Sequence, residues 1–425
     1  LTGEATPEQL IRATAENHRV WFETNARLTG GEVCGKGGIR WIVKLGAHSE
    51  VTIPFPRLES RTAGAQLDAI LQDCRRRKVK QVACWATALP TRPADLGARL
   101  VARGFEWGWR PHWMALDLHL PFPEFSAPAG LEVRVDDDCD WNVEGLSYYS
   151  RAEIPLFQAQ NRQTPRRIWH FAAWLEGKLV GHSQVHLTTG SLGVAGIYSV
   201  GVLPSAQNQG IGKAVSLAAC QFARAQGCRY AVLNSAADHL YSRLGFVSLG
   251  WGQTWWMQSP VLAAPPPSPA LIAFAEAIGR GNRKALEAFA RDALPADLEA
   301  PLPSGMTPMQ LAIHTRKPAS ARWLMARGVP LSLKTAWQLG WKDRAAQMLA
   351  ENPELANGRS GGWQLTPLHQ AVLDNDLEFL RLLLTARPDL TLEDAQFRST
   401  ALGWARHFRR MEMVALMEAS LAQSG

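Results

Sequence analysis

Two glycines one residue apart, Gly210 and Gly212, stand in the stretch QNQGIGKAV (207–215), three residues after Gln207. The segment IYSVGV before them predicts a strand, in which Gly201 marks a bulge or a close backbone approach. Val215, Ala218, Ala219 and Phe222 then recur at helical spacing, predicting a helix over about 212–226 that Gly227 ends. The glycine pair therefore sits where a strand passes into a helix N-terminus. Free amide N–H groups and the positive end of the helix dipole converge there. Residues without a Cβ let a ligand approach the backbone closely. Such a loop can hold a pyrophosphate. It is neither a complete G-x-G-x-x-G fingerprint nor a Walker loop, and the other reading is a tight turn that uses glycine for shape alone.

The chain around this loop has 425 residues, 46% hydrophobic and 20% charged, values of a multi-domain globular protein. Its six cysteines form no Cys-x-x-Cys pair and no His/Cys cluster, so they read as reduced, mostly buried thiols of a cytoplasmic protein without a metal site. No apolar run approaches the roughly 20 residues of a membrane span. The opening LTGEATPEQL lacks the pattern of a secretory signal. The net charge of +7 comes from scattered residues, and its densest cluster, CRRRKVK (74–80), reads as a helix end. A nucleic-acid partner is therefore not expected. A small polyanionic ligand would use the same field.

The elements that must carry the loop fall into segments. Prolines in VLAAPPPSPA mark 261–269 as a stiff linker. Beyond it, TPMQLA at Thr307, TPLHQA at Thr366 and TALGWA at Thr400 open helices, with Thr366 and Thr400 separated by 34 residues. WQLGWKDRAAQMLAENPEL fits a shortened unit between the first two, and AFAEAIGRGNRKALEAFARDA a first helix pair. Residues 270–425 resemble about five ankyrin repeats, whose helix pairs bury their apolar faces by stacking. Before the linker, PFPEFSAPAG (121–130) divides two strand-and-helix halves, 1–124 and 125–260. VACWATAL, DLGARLVAR and Gly104-Phe105 in the first match YAVLNSA, DHLYSRL and Gly245-Phe246 in the second, as in a tandem duplication.

The second half resembles the GNAT acyltransferase superfamily. Gln207, Gly210 and Gly212 match its coenzyme-A loop, and Asn234, Ala237, Tyr241, Gly245 and Phe246 in NSAADHLYSRLGF match its later signature. The resemblance covers roughly 130–258, with a fainter echo in 1–120. It implies an α/β plus all-α chain: tandem GNAT-like domains, each a mixed central sheet flanked by helices, followed by an ankyrin-repeat solenoid. It implies acetyl-CoA or another acyl-CoA as co-substrate. The backbone of Ser199, Val200 and Val202 would pair with the pantetheine arm, and the N–H groups around Asn208, Gln209, Gly210, Gly212 and Lys213 would hold the pyrophosphate. Asn234 would contact the pantetheine, and Arg243 an anionic part of the donor. Tyr241 would be the general acid, since a phenol of pKa about 10 protonates a departing thiolate without ionising at rest. The other reading of Tyr241 is a half-buried aromatic with a solvated hydroxyl. For the base, His182 and His186 share one face of the strand GHSQVHL, with Tyr198 and Glu153 as alternatives.

The first half lacks a Gly-x-Gly after its strand VTIPFP and carries Leu100 at the position of Tyr241. It is expected to support the second half and to wall one side of the acceptor cleft. Trp107, Trp109 and Trp113 in FEWGWRPHW either line that cleft or pack the core. The expected function is transfer of an acetyl group to a primary amine of a peptide, protein or small molecule, with the ankyrin segment recruiting the acceptor or a protein partner. The alternative is a non-catalytic acyl-CoA-binding adaptor or sensor.

Overall fold

The computed structural model describes residues 5–45, 49–188, 192–235, 238–291, 295–360 and 363–424. Ala237, part of the expected signature, lies outside them. The described residues form two units, 1–276 with 302–306, and 277–301 with 307–425.

In the first unit, helix α1 (Pro7–Leu28) starts at a capping box in which Thr6 Oγ1 accepts from the Gln9 N–H and the Gln9 side chain accepts from the Thr6 N–H. Strands β1 (Glu32–Lys36), β2 (Ile39–Lys44) and β3 (Glu50–Pro54) follow, then α2 (Ala63–Arg77), β4 (Gln81–Ala86) and α3 (Leu96–Ala102). The basic run 74–80 closes α2, which ends at Lys78 in the left-handed conformation. Next come β5 (Glu106–Trp107), β6 (His112–Asp117), β7 (Leu131–Val135), α4 (Ile154–Asn161), β8 (Ile168–Leu175), β9 (Lys178–Leu187) and β10 (Val194–Val202). Helix α5 (Ile211–Ala225), β11 (Tyr230–Ser235), α6 (Asp238–Ser242), β12 (Val247–Trp251), β13 (Gln253–Gln258) and α7 (Ser259–Ala263) complete it.

The strands build two sheets, β1-β2-β3-β4-β13-β5 and β12-β6-β11-β10-β9-β8-β7. Each has one parallel pair, β3 with β4 and β10 with β11. Around that pair the six strands of the first sheet correspond in order to six of the second, and β7 is the one left over. The division at 124/125 does not separate the sheets, because each borrows a strand from across it. β6, buried along its whole length, lies between β11 and β12, and β13 lies between β4 and β5. Trp113 on β6 and Trp255 on β13 are core residues of the sheets they join.

Helix α5 covers one face of the second sheet, where Ala219, Cys220 and Ala223 pack on Phe171, Val185 and Ile197. The buried stripe of α5 is Ile211, Val215, Ser216, Ala219, Cys220 and Ala223, while Ala218 and Phe222 sit at its margin. Helix α1 covers the opposite face: Leu10 and Ile11 pack with Val194, Tyr230 and Val232. Asn17 of α1 donates to the His186 carbonyl at 3.0 Å. Gly196 makes room for it, since a Cβ there would fall 2.1 Å from Asn17 Oδ1. The same helix reaches the first sheet through the Glu23–Arg40 ion pair. Among the described residues, no helix is long and apolar enough to cross a membrane.

The extended part of the proline-rich stretch is 264–268, and α8 (Pro269–Arg280) follows; the boundary between the units falls inside it. The second unit continues with α9 (Arg283–Phe289) and α10 (Pro295–Glu299). Helix pairs follow: α11 (Pro308–His314) with α12 (Pro318–Met325), α13 (Leu333–Gln338) with α14 (Lys342–Glu351), α15 (Pro367–Asp374) with α16 (Leu377–Thr385), and α17 (Ala401–His407) with α18 (Met411–Ser424). Thr307, Ser332, Thr366 and Thr400 cap the first helix of each pair. Ser332 is the opening of the shortened unit. In the Thr-Pro-Leu-His stretch, His369 Nε2 donates to the Ser399 carbonyl at 3.0 Å while Nδ1 faces the Thr366 hydroxyl at 2.8 Å, so one side chain joins two successive pairs.

Residues 125–260 produced alone would lack β6 in mid-sheet and carry β13 with no sheet to join. The expected result is a product without a cooperative thermal transition by circular dichroism, whereas 1–276 melts cooperatively. A cooperative melt of 125–260 would show that the exchanged strands are dispensable.

Candidate functional site

Parallel pairing of β10 with β11 runs through Val194↔Tyr230, Ala195↔Ala231 and Gly196↔Val232, and then stops although both strands continue. Opposite, β10 pairs with β9 at Tyr198↔Gln184 and again at Gly201↔His182, so Ser199 and Val200 together face one residue. That is a β-bulge, with Ser199 at φ +51°. The bulge turns β10 and leaves its edge, from Ile197 onward, without a strand partner on the β11 side. The gap opens into a cleft of about 1180 Å3.

The glycine loop closes one side of that cleft. Helix α5 starts after Gly210, which holds φ +84° and has no side-chain cap, so the first N–H groups of the helix lack intrahelical partners. A Cβ on Gly210 would meet the Phe125 ring at 3.0 Å, besides the strain of its φ. A Cβ on Gly212 would meet Val202 and Leu240 at ordinary contact distance, 3.6 and 3.8 Å. Gln207 Nε2 lies 3.4 Å from the Val202 carbonyl, tying loop to strand. Asn208 stands at φ +63°. Ser199, Val200, Val202, Gln207, Asn208, Gly210, Gly212, Lys213, Asn234, Tyr241 and Arg243 all line the cleft; Gln209 does not. Lys213 and Arg243 are its two basic side chains among the described lining residues. Tyr241 is 6% exposed. Burial raises its pKa above that of a free phenol, and a hydrogen bond with Ser216 offsets a little of the rise. It is therefore protonated at neutral pH.

Neither His182 nor His186 reaches the cleft. Both are fully buried, and burial lowers their pKa values to about 4. His182 Nε2 lies 2.7 Å from the Ser147 carbonyl, so that nitrogen must carry the proton and donate it. Among the described residues, His182 Nδ1 and both ring nitrogens of His186 have no hydrogen-bond partner. The pair shares a strand face, as the spacing predicts, but the face is turned into the protein. Tyr198 does line the cleft, yet its hydroxyl donates to Asn17 Oδ1 at 2.7 Å, and burial drives its pKa well above the ordinary phenol range. Glu153 lies outside the cleft and caps a short turn at Ser150.

Sequence reasoning expected the first half to wall the cleft but missed the residues that do so. His18, Trp21 and Phe22 of α1, Glu50 of β3 and Trp85 of β4 line the cleft beside Trp256 of β13. His18 Nδ1 sits 3.1 Å from the amide of Asn234. Burial, helped by His186, lowers its pKa to about 3. Of the three tryptophans in FEWGWRPHW only Trp109 borders the cleft; Trp113 is buried and Trp107 packs on Trp255 at 5.5 Å. The spacing of aromatic residues in α1 was a readable signal, but nothing local told that this helix covers the other half's sheet.

Four histidines, His18, His170, His182 and His186, have folded pKa values of about 3 to 4. An unfolded histidine titrates near 6.5, so between pH 6.5 and about 4 the unfolded chain binds more protons. Stability is complete above that window and falls as pH drops through it, by about 1–2 kcal/mol per histidine at pH 5. Glu50, whose pKa burial raises, acts in the opposite sense but is one group against four. Fluorescence melts should show the first unit losing several degrees between pH 7 and pH 5. An unchanged midpoint would mean that these rings are not held neutral in the fold.

Comparison with known proteins agrees with this geometry. Residues 132–246 match the model of the acetyltransferase (GNAT) family, and residues 363–395 match that of the ankyrin repeat. A mycothiol acetyltransferase of Paenarthrobacter aurescens is 28% identical over 234 residues, 49% of this chain and 71% of that protein. Another, of Actinosynnema mirum, is 30% identical over 201 residues, 44% of this chain and 65% of that protein. The chain thus spans about two thirds of the length of these two relatives. A solved GCN5-related N-acetyltransferase of Kribbella flavida aligns at 20% identity over 57% of this chain and 95% of its own, with a TM-score of 0.40. Residues 132–246 are therefore an acetyltransferase domain of the GNAT family, the acyl-CoA-dependent N-acetyltransferases, in a chain that also carries an ankyrin repeat.

Proposed function

We propose that the chain transfers an acetyl group from acetyl-CoA to a primary amine within the cleft between β10 and β11. The observation that carries this reading is the parting of those strands directly beside the uncapped N-terminus of α5, with Tyr241 on the same cleft. An acyl-CoA fits what is there. The unpaired edge of Ser199, Val200 and Val202 offers backbone hydrogen bonds to the pantetheine amides. The first N–H groups of α5, with Lys213 and Arg243, offer donors and positive charge to the phosphates. Asn234, held against His18, stands at the arm's far end.

In the transfer, the amine nitrogen attacks the thioester carbon, a C–N bond forms and the C–S bond breaks. Tyr241 gives its proton to the departing sulfur, and the proton shed by the amine nitrogen passes through solvent in the cleft and returns the phenolate to phenol. A phenol held neutral by burial can supply that proton as negative charge develops on the sulfur.

The first half, 1–124, supports 125–260 without a donor site of its own: β3 and β4 remain paired over five residues, Glu50↔Gln81 to Pro54↔Trp85, and Leu100 replaces the phenol. The ankyrin segment 270–425 recruits the acceptor or a protein partner, as stacked helix pairs present extended surfaces. Mycothiol-related compounds join peptides and small amines among acceptors to be screened, given the relatives' names. Six free thiols, all but Cys34 buried, accord with a cytoplasmic location.

Calorimetric titration with acetyl-CoA should show saturable binding that Gly212→Leu weakens at least about tenfold, because the side chain fills the cleft without a positive φ to strain. Tyr241→Phe should leave that binding within about twofold while kcat falls about 10²–10⁴-fold. Undiminished turnover in Tyr241→Phe would remove the acid from Tyr241. Failure of acyl-CoAs to bind would remove the transferase reading itself.

A further inference from the structure

Part of the cleft lining away from the glycine loop in sequence is aromatic and comes largely from the first half. Trp21 stacks on Tyr198 at 4.7 Å, Phe22 lies 5.7 Å from Trp85, and Trp85 meets Trp109 and Trp256 edge-on at 5.8 and 6.1 Å. These rings form one connected surface across α1, β4, β10 and β13. The phosphates of a donor have no use for it. Within the same lining stands Glu50, the one carboxylate among the described lining residues.

Among the described residues, two groups compensate Glu50. Thr52 Oγ1 donates to it at 3.2 Å, and Lys44, its register partner on β2, is the nearby cation. Burial outweighs both influences on its carboxyl. A carboxylate kept in an apolar, aromatic setting is costly unless something positive arrives. Aromatic faces attract the same kind of group, because their quadrupole is negative above the ring. The cleft is thus charged in two senses. Lys213 and Arg243, carried by the second half, suit an anionic donor; Glu50, carried by the first sheet, suits a cation.

We propose that this wall is the acceptor subsite and that it selects an organic cation with an apolar or aromatic body, Glu50 serving as counter-ion and Trp21, Trp85, Trp109, Trp256 and Tyr198 as its walls. The proposal rests on the transferase reading only in calling the ligand an acceptor. It narrows the amine from any primary amine to a cationic arylalkyl type, and it disfavours polyhydroxylated amines, whose hydroxyls would meet ring faces instead of hydrogen-bonding groups.

Binding of benzyltrimethylammonium, followed by quenching of tryptophan fluorescence in the full chain, tests it. This cation has no N–H to acylate, so the readout does not depend on turnover. Saturable quenching is expected, with Glu50→Gln weakening it at least about tenfold. Trp109→Ala should weaken it roughly threefold. Trp109 is 40% exposed, so that variant keeps the core intact and remains informative should Glu50→Gln melt early. Benzyl alcohol, the neutral comparator, should bind at least about tenfold more weakly than the cation. Absence of saturable quenching, a Glu50→Gln variant of unchanged affinity and melting temperature, or equal binding of benzyl alcohol would each overturn the proposal. Binding of the cation without binding of acetyl-CoA would leave the subsite standing and remove the transferase. The reverse result would remove the subsite alone.

Discussion

A strand inside a sheet must satisfy its backbone on both sides, and β10 ceases to do so on one side after Gly196. Everything in the site follows from that break. The bulge at Ser199 and Val200 bends the strand while its pairing with β9 holds, and Gly201 resumes the register. Donor and acceptor groups on the free edge would be costly if sealed in the core, and the cleft leaves them open to solvent or ligand. In the first sheet the equivalent pair, β3 with β4, stays closed along its length. One strand order therefore supports two outcomes, and local pairing of the parallel strands decides which sheet can admit an extended ligand.

The exchange of β6 and β13 makes the two halves one folding unit. A strand lent to the other half's sheet contributes its side chains there, so Trp256, late in the chain, stands beside Trp85 of β4. Helix α1 adds a third tie, with Asn17 bonded to both the His186 carbonyl and the Tyr198 hydroxyl. Elements of the first half, α1, β3 and β4, thus wall the cleft beside β10. This arrangement also accounts for the high aromatic density on that wall: large rings hold three elements from distant parts of the chain in contact and still present faces to the opening.

Much of this was legible in the sequence where the signal is local. The glycine loop between strand and helix, the bulge near Gly201, the left-handed Gly227 and the Thr-capped helix openings each depend on a few adjacent residues, and the structure bears them out. Burial stripes were legible to within a residue, since α5 turns Ser216 and Cys220 inward ahead of Ala218 and Phe222. Strand exchange was not legible, because β6 reads as a good central strand in either sheet. Nor was the fate of His182 and His186: period-two spacing puts them on one face but does not say that α1 and the segment around Ser147 cover that face. Glu50 escaped notice for the same reason, as a lone acidic residue at a strand start has no local signature.

The distribution of charge along the cleft limits how a reaction could be organised there. Positive groups and helix N–H donors gather at the loop, where they would restrain a polyanion. The buried phenol of Tyr241 is neutral at rest. Histidines near the cleft are held neutral by burial, so none adds a cation that would repel an ammonium group, and His18 in particular presents a ring to the aromatic wall without a charge. Glu50, which Lys44 faces from β2, is then the only formal charge on the aromatic side among the described lining residues. Beyond Lys44, a cation approaching from that side would meet no positive side chain among the described lining residues until it reached the loop, and a polyanion approaching from the loop would meet a carboxylate if it reached too far. Such a lining would keep two ligands of opposite charge in order, each at the end that the other would find repulsive.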